Sequence, residues 1–221
     1  FELRIGLLGP DQGGRETGQL PEGRAKLLQI VGGGSRRPVP VVQGGGSTIR
    51  GEDHPDTLNS LDRLCNVLVW QRKIPEAAAG FRETLERRRR TLGEEHPDTL
   101  GSLGNMGVVA WAEGDLAKTE TIYRDVVEKM KRVLGPEDKV TLKFATNLGL
   151  ALKMRGKYGE AETVVRDALD VRRRVLGNEH PETVDSIMML STILAAERKM
   201  EEADVLYKEA LESSRRVWGE E

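Results

Sequence analysis

The sequence predicts an all-α fold, built as a solenoid of stacked antiparallel helix pairs. Four segments open with near copies of one octapeptide at a constant spacing of 42 residues. Each segment carries the start and stop signals of two helices, and its apolar residues recur at helical spacing. A constant period in this range is typical of repeat proteins in which each unit buries its apolar face on its neighbours.

The four copies define units that span residues 51–92, 93–134, 135–176 and 177–218. Three of them open with Gly-x-x-His-Pro, from Gly51, Gly93 and Gly177, whereas unit 3 reads Gly-Pro-Glu-Asp-Lys from Gly135. A fifth copy begins at Gly219, two residues before the end of the sequence. We therefore expect the sequence to be a fragment of a longer protein.

The first quarter of the chain differs from the rest. Residues 1–50 match no part of the repeat and are rich in Gly, Ser and Pro, which favour flexible or extended coil. We expect this segment to be mostly disordered or irregular. Residues 21–31 have a pattern compatible with one short helix. A phosphate-binding loop would need a Lys after its last Gly and a strand before it. Ser47 follows Gly46 here, so we interpret this glycine run as linker.

Every unit is predicted to carry its own helix boundaries. A Pro opens the first helix of three units, where its missing N–H is least costly: Pro55, Pro97 and Pro181. The carboxylates before these prolines are expected to cap the same helices: Asp53, Glu95 and Glu179. Glycines are expected to end the second helices as left-handed caps: Gly93, Gly135, Gly177 and Gly219.

A basic cluster precedes each of these glycines. Its members are Arg87–Arg90, Lys129, Lys131, Arg132, Arg172–Arg174, Arg215 and Arg216. Cations at this position complement the negative end of a helix dipole. We interpret the clusters as dipole complements on a solvated face, with a binding site for an acidic partner as the alternative.

Apolar residues form columns that repeat from unit to unit. In unit 1 the first helix contributes Leu58, Leu61, Leu64 and Leu68, and the second contributes Ala77, Phe81 and Leu85. A column of small residues beside them lets two helices approach closely: Cys65, Gly107, Gly149 and Ser191. Cys65 is therefore predicted to be a small buried spacer rather than a nucleophile, because no His or Asp partner is patterned around it.

These patterns resemble the tetratricopeptide repeat. Its helix signatures are matched by Asn147-Leu148-Gly149, by Gly156-Lys157-Tyr158-Gly159-Glu160-Ala161 and by Ala168-Leu169. The 42-residue length and the Gly-x-x-His-Pro opening are similar to the subclass found in kinesin light chains. HEAT and armadillo repeats have similar lengths but would not predict the Lys-Tyr-x-Glu-Ala opening of the second helix. The resemblance implies a right-handed superhelix over residues 51–221.

The resemblance also implies a binding surface, because the first helices of this family line a concave inner wall. The residues expected on that wall follow the stripe i, i+4, i+7, i+11 beside the buried columns. We predict peptide-binding roles for Asn59, Arg63, Asn66, Asn105, Lys143, Asn147 and Met189. Asn105 and Asn147 lie where kinesin-light-chain repeats carry an asparagine, whose amide can donate to and accept from a peptide backbone. Bonding within the repeat stack is the alternative for both.

Composition argues against several other classes. A net charge of -2 does not favour nucleic-acid binding, and the inner stripe lacks base-stacking positions in every unit. No apolar run approaches the length of about 20 residues that spans a membrane. His54, His96 and His180 recur once per unit, so stacking would keep them roughly 10 Å or more apart, too far to share a zinc ion. We expect no metal, no cofactor and no enzymatic activity.

The sequence thus predicts a non-catalytic scaffold that binds a protein or peptide partner in its concave groove. The alternative is a regulatory array of a larger NTPase or a motor adaptor similar to the kinesin light chain. The single cysteine, Cys65, weakly favours a cytoplasmic location. The last unit lacks a following cap, so Met189, Leu206 and Trp218 are expected to leave apolar surface exposed, which would cause fraying or self-association.

Overall fold

The structure is a computed structural model that describes residues 51–218, with side chains to residue 216. The predictions for residues 1–50, for the repeat opening at 219–221 and for the Trp218 side chain lie outside this part of the chain. Within it all regular secondary structure is helical: α1 (Pro55–Trp70), α2 (Ile74–Leu92), α3 (Pro97–Ala112), α4 (Leu116–Val133), α5 (Lys139–Met154), α6 (Tyr158–Leu176), α7 (Pro181–Ala196) and α8 (Met200–Trp218).

The helices form four pairs that coincide with the four predicted units. Each helix packs on the next one along the chain from α1 to α8, and first helices of neighbouring units touch at α1–α3 and at α5–α7. Buried apolar residues of units 2, 3 and 4 form one continuous core. A second cluster in unit 1 includes Val109 from α3, which packs with Cys65, Ala77 and Phe81. The core therefore runs along the stack, and the all-α solenoid predicted from the period is confirmed.

The first helices are capped by residues other than those predicted. The Nδ1 atoms of His54, His96 and His180 accept hydrogen bonds of 3.1, 3.2 and 3.2 Å from backbone N–H groups two residues later. Unit 3 has Asp138 instead, whose carboxylate accepts from the N–H groups of Val140 and Thr141. The octapeptide therefore keeps its capping function where His-Pro is lost.

The carboxylates expected to cap these helices serve a different purpose. Each binds an arginine at the end of the second helix of its own unit, which ties the two ends of the unit together. The pairs are Asp53–Arg90, Glu95–Arg132, Glu137–Arg174 and Glu179–Arg216. The cap prediction for Asp53, Glu95 and Glu179 was wrong because the histidine ring is closer to the free amides.

The glycines that end the second helices have positive φ, but they are not left-handed caps. Gly93 has φ 91° and ψ 168°, and Gly177 has φ 85° and ψ 167°. This extended region at positive φ is essentially restricted to glycine. It redirects the chain into the next unit, whereas a left-handed residue with ψ near 47° would begin a tight turn.

Left-handed residues occur instead between the two helices of each unit. They are Arg72, Gly114, Gly156 and Arg198, with φ of 61°, 81°, 74° and 66°. The residue after each of them donates its N–H to the carbonyl five residues earlier, for example Lys73 to Leu68 at 2.9 Å. This is the Schellman arrangement, and it sets the same tight turn in all four units.

Candidate functional site

A small open pocket lies between units 2 and 3. Its cavity volume is about 10 Å³, and it is lined by Val108 and Trp111 of α3, Tyr123 of α4, and Asn147 and Leu150 of α5. Asn147 is a predicted site residue, and Val108 and Leu150 lie three residues after Asn105 and Asn147 on the same stripe. Trp111 and Tyr123 were not predicted, because they lie beside the stripe and on a second helix. The walls are apolar and Asn147 supplies the polar group.

Glycine shapes this pocket from behind. A Cβ atom on Gly107 would lie 2.6 Å from the ring of Tyr123, and one on Gly104 would lie 2.1 Å from the ring of Phe144. Because both positions lack a side chain, the two rings can approach α3, with their centroids 6.1 Å apart. Gly107, a member of the small-residue column, therefore lets the Tyr123 ring that lines the pocket pack against α3.

Asn147 is the polar residue that lines the pocket. It is 9% exposed, and no residue in 51–218 forms a hydrogen bond with its side-chain amide. Neither amide atom is among the fully enclosed polar atoms that lack a partner, so the amide stays accessible to water. The arrangement leaves one donor group and one acceptor directed at a small apolar pocket.

Asn105, the other predicted asparagine, has a different environment. Its side chain lies near the carboxylate of Asp62 in unit 1. Burial raises the pKa of Asp62, and the side chains of Arg88, Thr84 and Asn105 act in the opposite direction. The Asn105 amide therefore interacts with a buried acid inside the stack.

Two polar residues of the unit 1 stripe are likewise engaged within the fold. The Oδ1 atom of Asn59 accepts a hydrogen bond of 2.8 Å from Arg88. The Nδ2 atom of Asn66 donates to the Asp62 carbonyl at 3.0 Å, one turn earlier in the same helix. Arg63 is exposed. Asn59 is exposed as well, whereas the Oδ1 atom of Asn66 is buried and has no hydrogen-bonding partner within residues 51–218.

Lys143 of unit 3 and Met189 of unit 4, which were also predicted site residues, do not line the pocket. Lys143 is half-buried, with its Nζ atom 6.0 Å from the centroid of the Phe144 ring. Burial lowers the pKa of Lys143, and the charge of Glu182 partly opposes this. Met189 is half-buried and packs against the core. The surface beyond the pocket thus combines one cationic group with one flexible apolar group.

A second lysine continues this cationic character on α5. The Nζ atom of Lys153 donates a hydrogen bond of 2.7 Å to Oγ1 of Thr192 on α7. Burial lowers the pKa of Lys153. This contact joins first helices of adjacent units.

Two arginines of the basic clusters are buried, contrary to the interpretation of a solvated face. Arg88 is 4% exposed and binds Asp62, at 2.6 Å, together with Ser102 of the next unit. Arg172, two units later, is equally buried and donates to Thr146 and to Ser186 of the next unit. Both guanidinium groups therefore join neighbouring units, and neither is available to an acidic partner.

Other candidate chemical groups are also engaged in the fold. The Nδ1 atoms of His54, His96 and His180 accept the capping hydrogen bonds, and residues 51–218 contain no cluster of three potential metal ligands. Cys65 is buried beside Gly80, and burial raises the pKa of its thiol to about 12. No helix in the same range is long and apolar enough to cross a membrane.

Comparison with known families assigns the repeat. One tetratricopeptide repeat model matches residues 56–132, and a second matches residues 141–182 and again 183–221. The chain belongs to the tetratricopeptide repeat family. No curated protein matches it. Family membership makes the chain a protein-interaction repeat scaffold and confirms the resemblance seen in the sequence.

Solved structures of tetratricopeptide repeat proteins share the fold. One crystal structure of the Podosopora anserina putative kinesin light chain repeats is 22% identical, with a TM-score of 0.63 over 77% of this chain and 80% of that chain. Another crystal structure of the same repeats is 22% identical, with a TM-score of 0.62 over 78% and 82%. BtubC (BKLC) from P. vanneervenii is 18% identical, with a TM-score of 0.67 over 73% and 63%. At these identities the likeness concerns the fold.

Proposed function

We propose that this chain is a non-catalytic scaffold that binds an extended or helical segment of a partner protein in the groove lined by its first helices. The partner's contact is centred on the pocket between α3 and α5. The observation that carries the proposal is the Asn147 amide, which lines the pocket, is accessible to solvent and lacks a hydrogen-bonding partner within residues 51–218.

The chemistry of the pocket favours a peptide. One asparagine amide can donate to and accept from a single peptide unit, whatever side chain that unit carries. The apolar surface formed by Val108, Trp111 and Leu150 would then contact an apolar side chain of the bound segment. Backbone recognition combined with one apolar anchor is a common way to bind a peptide segment.

The structure changes the predicted set of contact residues. We keep Asn147 as the central contact, with Lys143 and Met189 as further contacts of a longer segment. Asn59, Asn66 and Asn105 contribute to the proposal less, because part of each amide already interacts inside the fold. Arg63 remains exposed in unit 1 and would contact only a segment long enough to cross two units.

A binding experiment tests this assignment. Peptides are selected from a random library on the 221-residue chain, and their affinities are measured by calorimetry. We expect Asn147→Ala to weaken the selected peptides about tenfold, since removing one partner of a buried hydrogen bond costs roughly 1–3 kcal/mol. Asn105→Ala is the matched control at the same position of the neighbouring unit, and we expect it to bind normally.

Two results would contradict the groove assignment. One is equal affinity of wild type and Asn147→Ala for every selected peptide. The other is an equal loss in the Asn105→Ala control.

A cytoplasmic location also remains a proposal, supported by the free thiol of Cys65, which is typical of reducing compartments.

A further inference from the structure

The last unit exposes an apolar face that the other units bury. Tyr207 and Leu211 of α8 are 42% and 52% exposed. Their equivalents in the first three units are almost fully buried: Phe81, Tyr123 and Val165 for Tyr207, and Leu85, Val127 and Leu169 for Leu211. The same two columns therefore belong to the core in three units and to the surface in the fourth.

The first helix of a following unit supplies the missing cover. In unit 1, Phe81 packs with Val109 of α3, which belongs to unit 2. Val109, Ala151 and Ile193 occupy the same position in units 2, 3 and 4, and all are buried. The equivalent residue of unit 1 is Val67, which is 42% exposed. Within residues 51–218, Val67 of unit 1 is therefore an exposed apolar side chain at the position that covers the second helix of the preceding unit elsewhere in the array. Tyr207 of unit 4 has no such residue packed on it in this range.

Charged pairs across the junctions between neighbouring units indicate which charges would meet if unit 1 of one copy stacked on unit 4 of another. Glu120 of unit 2 binds Lys157 of unit 3 at 3.0 Å, and Arg124 binds Glu160 at 2.8 Å. Burial alone would raise the pKa of Glu120, but hydrogen bonds from Arg124, Lys157 and Arg155 outweigh it and lower the pKa to about 2.

The junction between units 3 and 4 repeats the same pattern. Glu162 binds Lys199 at 2.7 Å, and Arg166 lies 3.5 Å from Glu202. An acid and a base on the second helix thus face a base and an acid at the start of the next second helix.

Unit 4 carries the same acid and base at the equivalent positions, Asp204 and Lys208. Of the four units, units 1, 3 and 4 have the complementary Lys and Glu, and in unit 1 these are Lys73 and Glu76. Unit 2 has Asp115 and Lys118 there, and it stacks on Ala78 and Arg82. Lys73 and Glu76 of unit 1 therefore carry the charges that would pair with Asp204 and Lys208 of unit 4. The equivalent Lys and Glu of units 3 and 4 pair in this way with the second helix of the preceding unit.

We propose that two copies of this chain associate head to tail, with unit 1 of one copy stacking on unit 4 of the other. Val67 enters the position that Ile193 occupies inside the array, beside Tyr207. Lys73 and Glu76 pair with Asp204 and Lys208 of the other copy. Such a contact is heterologous, and association rises with protein concentration.

The association is tested on the 221-residue chain by analytical ultracentrifugation from low to high micromolar concentration. We expect the weight-average mass to rise with concentration. Leu211→Glu should keep the chain monomeric. Val205→Glu is the matched control, because Val205 lies on the same helix but its equivalents Ala79, Thr121 and Thr163 are exposed in every unit. A mass that stays monomeric in the wild type, or equal effects of the two variants, would overturn the proposal.

A charge reversal tests the orientation without altering apolar packing. Glu76→Lys and Lys208→Glu each place like charges across the proposed junction, so each should weaken association by roughly twofold to fivefold. The two substitutions in one chain restore opposite charges and should recover wild-type association. A double variant that associates no better than the single variants would exclude this orientation. Asn147→Ala should leave association unchanged, which keeps this test independent of the proposed groove.

Discussion

At the scale of single residues, one position in each unit is forced into a left-handed backbone. Glycine occupies it in units 2 and 3, at Gly114 and Gly156, and arginine occupies it in units 1 and 4, at Arg72 and Arg198. A left-handed conformation costs a residue with a Cβ atom roughly 1–2 kcal/mol, and glycine adopts it freely. Both arginine side chains are exposed and form no hydrogen bond or ion pair with other residues in 51–218. The side chains therefore do not offset the backbone cost.

Replacing Arg72 with glycine should stabilise the protein. The relief of backbone strain exceeds the added chain entropy of a glycine in the unfolded state, so Arg72→Gly should raise the free energy of unfolding by roughly 0.5–1 kcal/mol. Urea unfolding followed by circular dichroism measures the change. Gly114→Arg at the equivalent position of unit 2 is the control and should destabilise. If Arg72→Gly lowered the unfolding midpoint, the strain argument would fail.

The two predicted asparagines show what a repeat pattern can and cannot predict about a site. Asn105 and Asn147 are equivalent in sequence, yet the preceding unit places Asp62 near Asn105. The residue equivalent to Asp62 before Asn147 is Gly104, which has no side chain to offer. The period places both residues at the same position of a first helix. The partner of each depends on the unit before it, which the pattern within one unit does not contain.

At the scale of helices, the octapeptide that recurs in the sequence is a capping device. Histidine Nδ1 caps the first helix in three units, and the Asp138 carboxylate caps it in unit 3. The residues around the cap are similar in all four units. The chain therefore contains a natural replacement of one cap by another, which suggests a direct exchange experiment.

We expect His96→Asp to preserve the stability of α3, because a carboxylate at this position accepts the same backbone N–H groups in unit 3. His96→Ala removes the acceptor and should lower the free energy of unfolding by roughly 0.5–2 kcal/mol. Thermal and urea unfolding of the two variants measure the difference. Equal stability of His96→Ala and wild type would show that the ring contributes through something other than capping.

One position at the junctions of units 1 to 3 alternates between arginine and methionine. Because a pattern common to all units does not contain this alternation, the burial of the two arginines was not predicted. Arg88 and Arg172 occupy equivalent positions two units apart, and Met130 lies between them in unit 2. Met130 is fully buried, in the same cluster as Phe144, and Gly104 makes room for that ring. A polar junction and an apolar one therefore use the same position. The charge of Arg88 and Arg172 led us to expect solvent exposure. Each arginine instead donates a hydrogen bond to a serine on the next first helix, Ser102 or Ser186, which its own unit does not contain.

At the scale of the whole molecule, we expect units 2 and 3, which have a neighbour on both sides within residues 51–218, to be more stable than units 1 and 4. The helix pair of each unit was predicted from the period together with the apolar columns and boundary residues that every unit repeats. The differences between units in stability could not be read from one repeat. They depend on how many neighbours a unit has, since a repeat array gains much of its stability at the junctions between units.

Hydrogen exchange should reveal this gradient at low protein concentration. In α8 the buried residues within the described side chains are Ala203, Ala210 and Ser213, whereas α4 of unit 2 buries Tyr123 and Val127 among others. Burying one large apolar side chain contributes roughly 1.5–3 kcal/mol. We therefore expect the opening free energy of α8 amides to be lower than that of α4 amides by about 2 kcal/mol or more.

Raising the concentration should change this gradient in one place. If unit 1 of a second copy stacks on unit 4, the α8 amides gain protection with concentration while the α4 amides, already enclosed by neighbours, stay unchanged. Leu211→Glu should remove the concentration dependence and leave the low-concentration pattern intact. Equal protection of units 2 and 4 in dilute wild-type protein would contradict the expected fraying. Protection of α8 that does not respond to concentration would instead mean that its exposed face remains uncovered by a second copy.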